Sequence, residues 1–254
     1  MELIGISYSP WTEKARWALD HHGLEYRYTE HVVVLSELSL RLKLGKLGGG
    51  DATVPALIDG KTRLVDSLRI ARYTDERGRG GKLFPDGALA KIEKINASCE
   101  NALDAARAFY IEGLLADREG LKEALPRFVP RALRGAFTPV ASFGAARVRS
   151  WFSAGSRSLE ERGAQLRSAM TELRASISGA RGGFLLGEFT FADIAGAVSV
   201  QAVQPVADRY IRLGTAARRL WTRTELAREF ADVVEWRDRV YSERRSRATL
   251  PPVS

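Results

Sequence analysis

The sequence predicts two structural regimes in one chain. Residues 1–80 read as a small α/β unit and residues 88–254 as an all-α helical bundle, with a linker at 81–87. Three observations carry this reading. Short apolar or alternating runs with strand character, Leu3-Ile4-Gly5-Ile6, Tyr26 to Thr29, Val54 to Ile58 and Thr62 to Val65, all lie before residue 66. A cluster of breakers, Gly78, Gly80, Gly81 and Pro85, then interrupts the chain. Beyond it, apolar residues recur at helical spacing through Ala88 to Leu115 and Leu159 to Ile177, and Ile194 to Val203 is almost wholly small and apolar.

The first strand leads directly into Ser9-Pro10, after which Trp11, Ala15, Ala18 and Leu19 fall on one helical stripe, with Trp17 off it. Ser9 suits an N-cap. Pro10 suits the first helical position, where a missing N–H costs nothing. The leading N–H groups and the positive dipole end leave room for an anion, such as a thiolate, beside the Ser9 hydroxyl. Capping alone is the competing reading of Ser9. Gly23 makes a natural C-cap, and Tyr26 to Thr29 alternates as a second strand. Val32 to Leu47 is ambiguous between strand and short helix until Gly48-Gly49-Gly50-Asp51 breaks it. Val54-Pro55 enters a strand, Asp59-Gly60 makes a tight turn, Thr62 to Val65 returns, and Asp66-Ser67 starts a helix that runs out at Gly78.

In the second half, Pro126 and Pro130 imply a bend or short helices. Residues 134–152 look less regular, with Phe137, Phe143, Trp151 and Phe152 either lining a pocket or packing into a core. Thr190 and Asp193 have capping-box spacing ahead of the apolar run from Ile194, which reads as the buried centre of the bundle. A final helix pair is expected at 208–219 and 223–241, followed by a basic tail, Arg244-Arg245-Ser246-Arg247, expected to be solvated.

Composition narrows the function. With 45% hydrophobic and 28% charged residues over 254 positions, the chain reads as an ordinary soluble protein. No leader pattern and no long apolar run stand out, so a cytoplasmic location and no membrane partner are expected. The net charge of +8 can attract anions, but zinc-finger spacing, a recognition helix and a compact basic block interleaved with aromatics are all missing, which argues against nucleic acid. Cys99 is the sole cysteine, so an internal disulfide and a CxxC redox pair are excluded; its helical setting reads as a buried, inert thiol. The three histidines, His21, His22 and His31, lack convergent carboxylates, so no metal is expected.

Three separated signals stand in one order: the Ser9-Pro10 helix start, Val54-Pro55 followed by Asp66-Ser67, and the Thr190/Asp193 box. Together they resemble the cytosolic glutathione transferase superfamily over nearly the whole chain, and SPWTEKARWAL is closest to its serine-type members, tau-, zeta- or theta-like in arrangement, with the class unassigned. The resemblance implies an α/β thioredoxin-like N-terminal domain, an all-α helical-bundle C-terminal domain, a cis Pro55 and glutathione as co-substrate. It implies that Val54 pairs with the cysteinyl backbone of glutathione and that Asp66 and Ser67 hold its γ-glutamyl end. Ser9 takes the thiol-activating position, with Tyr8 and Thr12 as alternatives. Lys46 and Thr53 stand where the glycyl carboxylate is usually met, in a stretch that departs from common family patterns. Trp11, Phe109 and Tyr110 are the expected pocket residues for an apolar electrophile between the domains. Thr190 and Asp193 correspond to the family's folding box. The implied function is a glutathione transferase in detoxification, acting as a homodimer. A glutathione-dependent isomerase or dehalogenase, and a non-enzymatic ligand-binding or scaffold protein, are the alternatives.

Overall fold

The structure is a computed structural model, and it describes residues 1–126, 128–152, 157–180 and 182–245. The first unit contains β1 (Glu2–Gly5), α1 (Pro10–His21), β2 (Arg27–Glu30), α2 (Glu37–Leu44), β3 (Ala56–Asp59), β4 (Thr62–Val65) and α3 (Ser67–Asp75). The strands form one sheet in the order β2-β1-β3-β4, with β1 and β2 parallel and the other two pairs antiparallel. This is the expected α/β thioredoxin-like arrangement. Its register places Gly5 opposite Glu30, Ile4 opposite Ala56 and Ala56 opposite Val65. The ends of β1, β2 and β4 and the start of β3 therefore meet at one edge of the sheet.

The second unit is helical. It comprises α4 (Leu89–Ala116), α5 (Arg118–Ala124), α6 (Thr138–Phe152), α7 (Leu159–Ser178), α8 (Phe191–Ser199), α9 (Thr215–Trp221), α10 (Thr224–Glu229) and α11 (Ala231–Arg244). The long α4 packs chiefly on α7 and α8, and every residue of α8 is buried, as its small apolar composition requires. The box forms at the start of α8. The Asp193 carboxylate accepts the Thr190 N–H at 2.9 Å, the Thr190 hydroxyl at 3.2 Å and the Leu185 N–H at 2.7 Å. Burial pushes this carboxyl up to about 6, against the pull of those three bonds.

One open reading is resolved and three expectations are corrected. Val32 to Leu35 is a turn, not a strand, because Ser36 closes it: its N–H reaches the Val32 carbonyl and its hydroxyl takes the Val32 N–H. Residues 138–152 form a regular helix, since Pro139 falls in the first turn, where proline is tolerated. The first of the last helices begins at Thr215, not 208, and α10 and α11 follow as separate pieces. The basic tail is not solvated throughout: Arg244 is exposed, but Arg245 is 4% exposed and donates to Glu13 at 2.7 Å and Asp20 at 2.6 Å, both on α1.

That contact belongs to a larger pattern. Helix α1 is buried on nearly all sides, between the sheet and α3 on one face and α8 on the other. This is why Trp17, off the apolar stripe, is also wholly buried; its indole N–H donates to the Arg244 carbonyl at 3.2 Å. The segment between the units is likewise fastened. The Leu83 N–H donates to Asp75 at 2.6 Å and its carbonyl accepts the Phe191 N–H at 3.0 Å.

Replacing Asp193 by alanine leaves two buried N–H groups without acceptors, and an expected loss of about 3 kcal/mol follows from the cost of such orphans. The urea midpoint should fall with an unchanged slope. The Arg245→Ala variant is expected to lose about 3 kcal/mol by stranding the buried Glu13 and Asp20 carboxylates. A conservative Arg244→Lys change, which spares that pair, should leave the same urea midpoint within error.

Candidate functional site

The candidate site lies at the sheet edge where four strand ends converge. After β1, the chain turns through Ile6 to Ser9, closed by a Ser9 N–H to Ile6 carbonyl bond of 2.9 Å, and α1 begins at Pro10. The Ser9 backbone is extended and its carbonyl accepts the Glu13 N–H, but its hydroxyl makes no capping hydrogen bond. The side chain is thus half-exposed and uncommitted at the N-terminus of a helix. Glu30, at the end of β2, holds this turn in place: it accepts the Ser7 N–H at 3.0 Å and the Tyr28 hydroxyl at 2.9 Å. Sequence reasoning passed over Glu30, whose only signal was a carboxylate ending an alternating strand.

Tyr8 and Thr12 sit in different surroundings from Ser9. The Tyr8 ring packs into the interdomain core, where burial and the Glu30 charge push its phenol up to about 12. It is a neutral donor at physiological pH. Thr12 is fully buried, accepts the Ile6 N–H at 3.2 Å, and presses against Gly5 so closely that a Cβ there would overlap it. The Thr12 hydroxyl is therefore held by the backbone turn.

On the opposite side of the edge, the Val54-Pro55 peptide is cis and precedes β3. Continuing the β1/β3 register by two residues brings Val54 level with Ile6. Thr53 is exposed, and Lys46 is tied down locally, its ammonium donating to the Asp51 carbonyl. Arg41 on α2 reaches the same loop, donating to the Gly50 carbonyl at 3.3 Å, and sequence reasoning did not single it out.

Asp66 and Ser67 follow β4 at the same edge. Asp66 has φ +83°, rare for a residue with a side chain, and its carboxylate caps α3 by accepting the Arg69 N–H at 3.0 Å. Ser67 is 1% exposed, yet its hydroxyl has no hydrogen-bond partner. An unsatisfied buried hydroxyl at a helix N-terminus is an unspent donor at an anion-favouring position.

The expected pocket residues separate into two groups. Trp11 donates its indole N–H to Glu100 on α4 and lies under the Arg107 guanidinium, 4.8 Å from its ring centroid. Arg107 also covers Phe152 at 3.5 Å, and beyond it a cavity of about 140 Å³ is lined by Arg107, Ile111, Phe152, Leu159 and Arg162. Tyr110 stacks on Trp221 at 5.1 Å and sits in the core cluster that also takes Tyr8, where burial, with a smaller push from the Glu123 carboxylate, raises its phenol. Phe109 points elsewhere, under Arg223 at 4.9 Å and toward Gly163. Cys99 is buried, and burial pushes its thiol up to about 11, which keeps it inert. Among the described residues, no cluster of histidine, cysteine, aspartate or glutamate fits a metal ion, and no helix is long and apolar enough to cross a membrane.

Comparison with known proteins agrees with this geometry. The family model for the glutathione S-transferase N-terminal domain matches residues 3–81. A probable glutathione S-transferase of Nicotiana tabacum is 34% identical over 96 residues, and one of Solanum tuberosum 28% over the same length. The Nicotiana match takes in 36% of this chain and 41% of the relative, so the chain spans about two fifths of the length of its curated relatives. Among solved structures, a glutathione S-transferase of Ceriporiopsis subvermispora in complex with glutathione aligns with TM-score 0.66 and 17% identity, over 99% of this chain and 98% of that one. A glutathione S-transferase of Methylobacillus flagellatus with glutathione bound gives 0.62 and 14%, over 98% and 99%. The first unit is thus similar in sequence to the N-terminal domain of glutathione S-transferases, and the chain shares their fold along its whole length.

Proposed function

We propose that the protein is a glutathione transferase that activates the glutathione thiol at Ser9 for attack on a small electrophile. The observation that carries this reading is the convergence, at one sheet edge, of an uncommitted Ser9 hydroxyl, the cis Val54-Pro55 peptide and the buried, unpartnered Ser67 hydroxyl. The Ser67 donor and the α3 N-terminus suit the γ-glutamyl carboxylate, and the exposed Asp66 carboxylate suits its ammonium. The Val54 backbone, level with Ile6, suits the cysteinyl part. Lys46, Thr53 and Arg41 lie around the loop where the glycyl carboxylate would fall, with Lys46 already spending one donor on Asp51.

On this reading the Ser9 hydroxyl donates a hydrogen bond to the sulfur and, with the positive end of α1, favours thiolate over thiol. The thiol proton passes to solvent. The sulfur then forms a bond to the electrophilic carbon, whose leaving group or π pair takes the displaced electrons. Ser9 stays unmodified throughout. Tyr8, protonated until about pH 12, contributes as a neutral donor from the adjacent wall rather than as a base. The acceptor would enter beside Trp11 and Tyr110. The cavity behind Arg107 mixes Phe152 and Leu159 with guanidinium groups and with the Asp104 and Glu112 carboxylates that pair with Arg107 and Arg149, which favours an aromatic acceptor bearing a polar substituent over a wholly apolar one. The partners on this reading are glutathione, that acceptor and a second copy of the chain.

Ser9→Ala should retain glutathione binding and lower kcat by about a hundredfold, the usual loss for one donor aimed at a developing charge. The thiolate absorbance of the bound complex should titrate roughly one unit higher than in the wild type, toward the ordinary thiol value near ~8.5. The variant's rate should therefore recover as pH rises. An unchanged titration would remove Ser9 from this role.

Ser67→Ala should act differently. It is expected to weaken glutathione binding about tenfold with kcat nearly unchanged, since it removes a ground-state contact. Calorimetric titration with glutathione and the KM-against-kcat comparison check this together.

A further inference from the structure

Helix α6 is packed the wrong way round for a helix of a soluble bundle. It turns Ala141 and Ala145 toward α4 and α5, where they join Leu114 and Leu121, and it leaves its large apolar side chains outside. Val140 is 57%, Phe143 65% and Trp151 42% exposed, and positions 140, 143, 147 and 151 fall on one helical face. Phe137, just ahead of the helix, and Leu133 and Phe128, in the approach to it, are exposed as well. Burying alanines while exposing phenylalanine and tryptophan is costly in water, so this face has a use outside the monomer.

Its charge is as one-sided as its packing. From Ala124 to Leu159 the chain carries six arginines and not one carboxylate. Arg147 lies on the aromatic face with its guanidinium over the Trp151 ring, 5.3 Å from the centroid. Arg131 is exposed beside Leu133, Arg149 reaches Glu112 at 3.5 Å, and Arg134 is spent on the carbonyls of Val129, Lys122 and Pro126. We propose that this face docks on an anionic phospholipid bilayer, α6 lying in the plane of the interface with Val140, Phe143 and Trp151 below the headgroups and Arg131 and Arg147 among the phosphates.

Two features favour a lipid surface over other occupants. A two-fold contact between copies of this face would set arginine against arginine, with no carboxylate of the segment to answer it. A nucleic acid would meet the arginines but leave the row of phenylalanine, valine and tryptophan against phosphates. An anionic bilayer satisfies both halves, apolar depth below and negative charge at the rim. This docking is independent of the reaction proposed above, and it departs from the expectation of no membrane partner.

The test is flotation of the full chain with phosphatidylcholine vesicles, with and without phosphatidylserine. The protein should float with the phosphatidylserine vesicles, far less with phosphatidylcholine alone, and less at high salt. A Val140→Ser, Phe143→Ser double variant, altered only at exposed positions, should bind about tenfold more weakly while keeping its circular dichroism spectrum. Trp151→Phe should still bind but lose most of the blue shift in tryptophan emission that the wild type shows on binding. No flotation with phosphatidylserine, or equal flotation of the folded double variant, overturns the proposal. So does self-association of the wild type, by light scattering without vesicles, that Phe143→Ser abolishes; the occupant would then be a second copy.

Discussion

Glu13, Lys14 and Arg16 on α1 are cut off from water, and a buried charge persists only where a counter-charge and hydrogen bonds replace its hydration. The first unit supplies only part of that replacement. Glu13 is answered by Arg16 at 3.1 Å within the helix and by Arg245 from the far end of the chain. Lys14 is answered by Glu100, and by Asn96 at 3.3 Å, both on α4. The two units therefore cannot slide over one another without stranding a charge, and the position of α4 against α1 is held electrostatically as well as by packing. Helix α1 begins one residue after Ser9, so the constraint that locks the units also fixes the hydroxyl relative to the α4 wall that carries Arg107 and Tyr110.

The same constraint explains which parts of the structure were legible in the sequence. Elements that depend on local chemistry could be read directly: the Ser9-Pro10 start, the hairpin around Gly60, the Asp66 cap and the Thr190/Asp193 box each follow from side chains within a few residues of one another. Elements that depend on distant partners could not. Trp17 lay off the helical stripe because the stripe marks one buried face, and α1 has two. Arg245 read as a solvated tail residue because its partners, Glu13 and Asp20, lie more than two hundred positions earlier.

The candidate site shows the same division. That Ser9, Val54-Pro55 and Asp66-Ser67 share one place was open to inference from resemblance, and the register of a four-stranded sheet supplies the physical reason. What separates Ser9 from Tyr8 and Thr12 is tertiary. The Thr12 hydroxyl is buried and accepts the Ile6 N–H, Tyr8 is partly buried against the interdomain core, where its phenol is raised, and the Ser9 hydroxyl is half-exposed and uncapped at the start of α1. Three hydroxyls within five residues thus meet three different environments through burial and hydrogen bonding alone.

Helix α6 marks the limit of periodicity as a guide to burial. An amphipathic pattern identifies which face of a helix is apolar, and the inference that this face is inside rests on the assumption that the interior is the only apolar phase available. In α6 the interior is reached by alanines, which allow close approach to α4 and α5, and the aromatic face is left over. Large side chains could not take the place of Ala141 and Ala145 without pushing the helix off Leu114 and Leu121. The geometry of the bundle thus demands small residues on the inner face and leaves the outer face free to be selected for contact with something else.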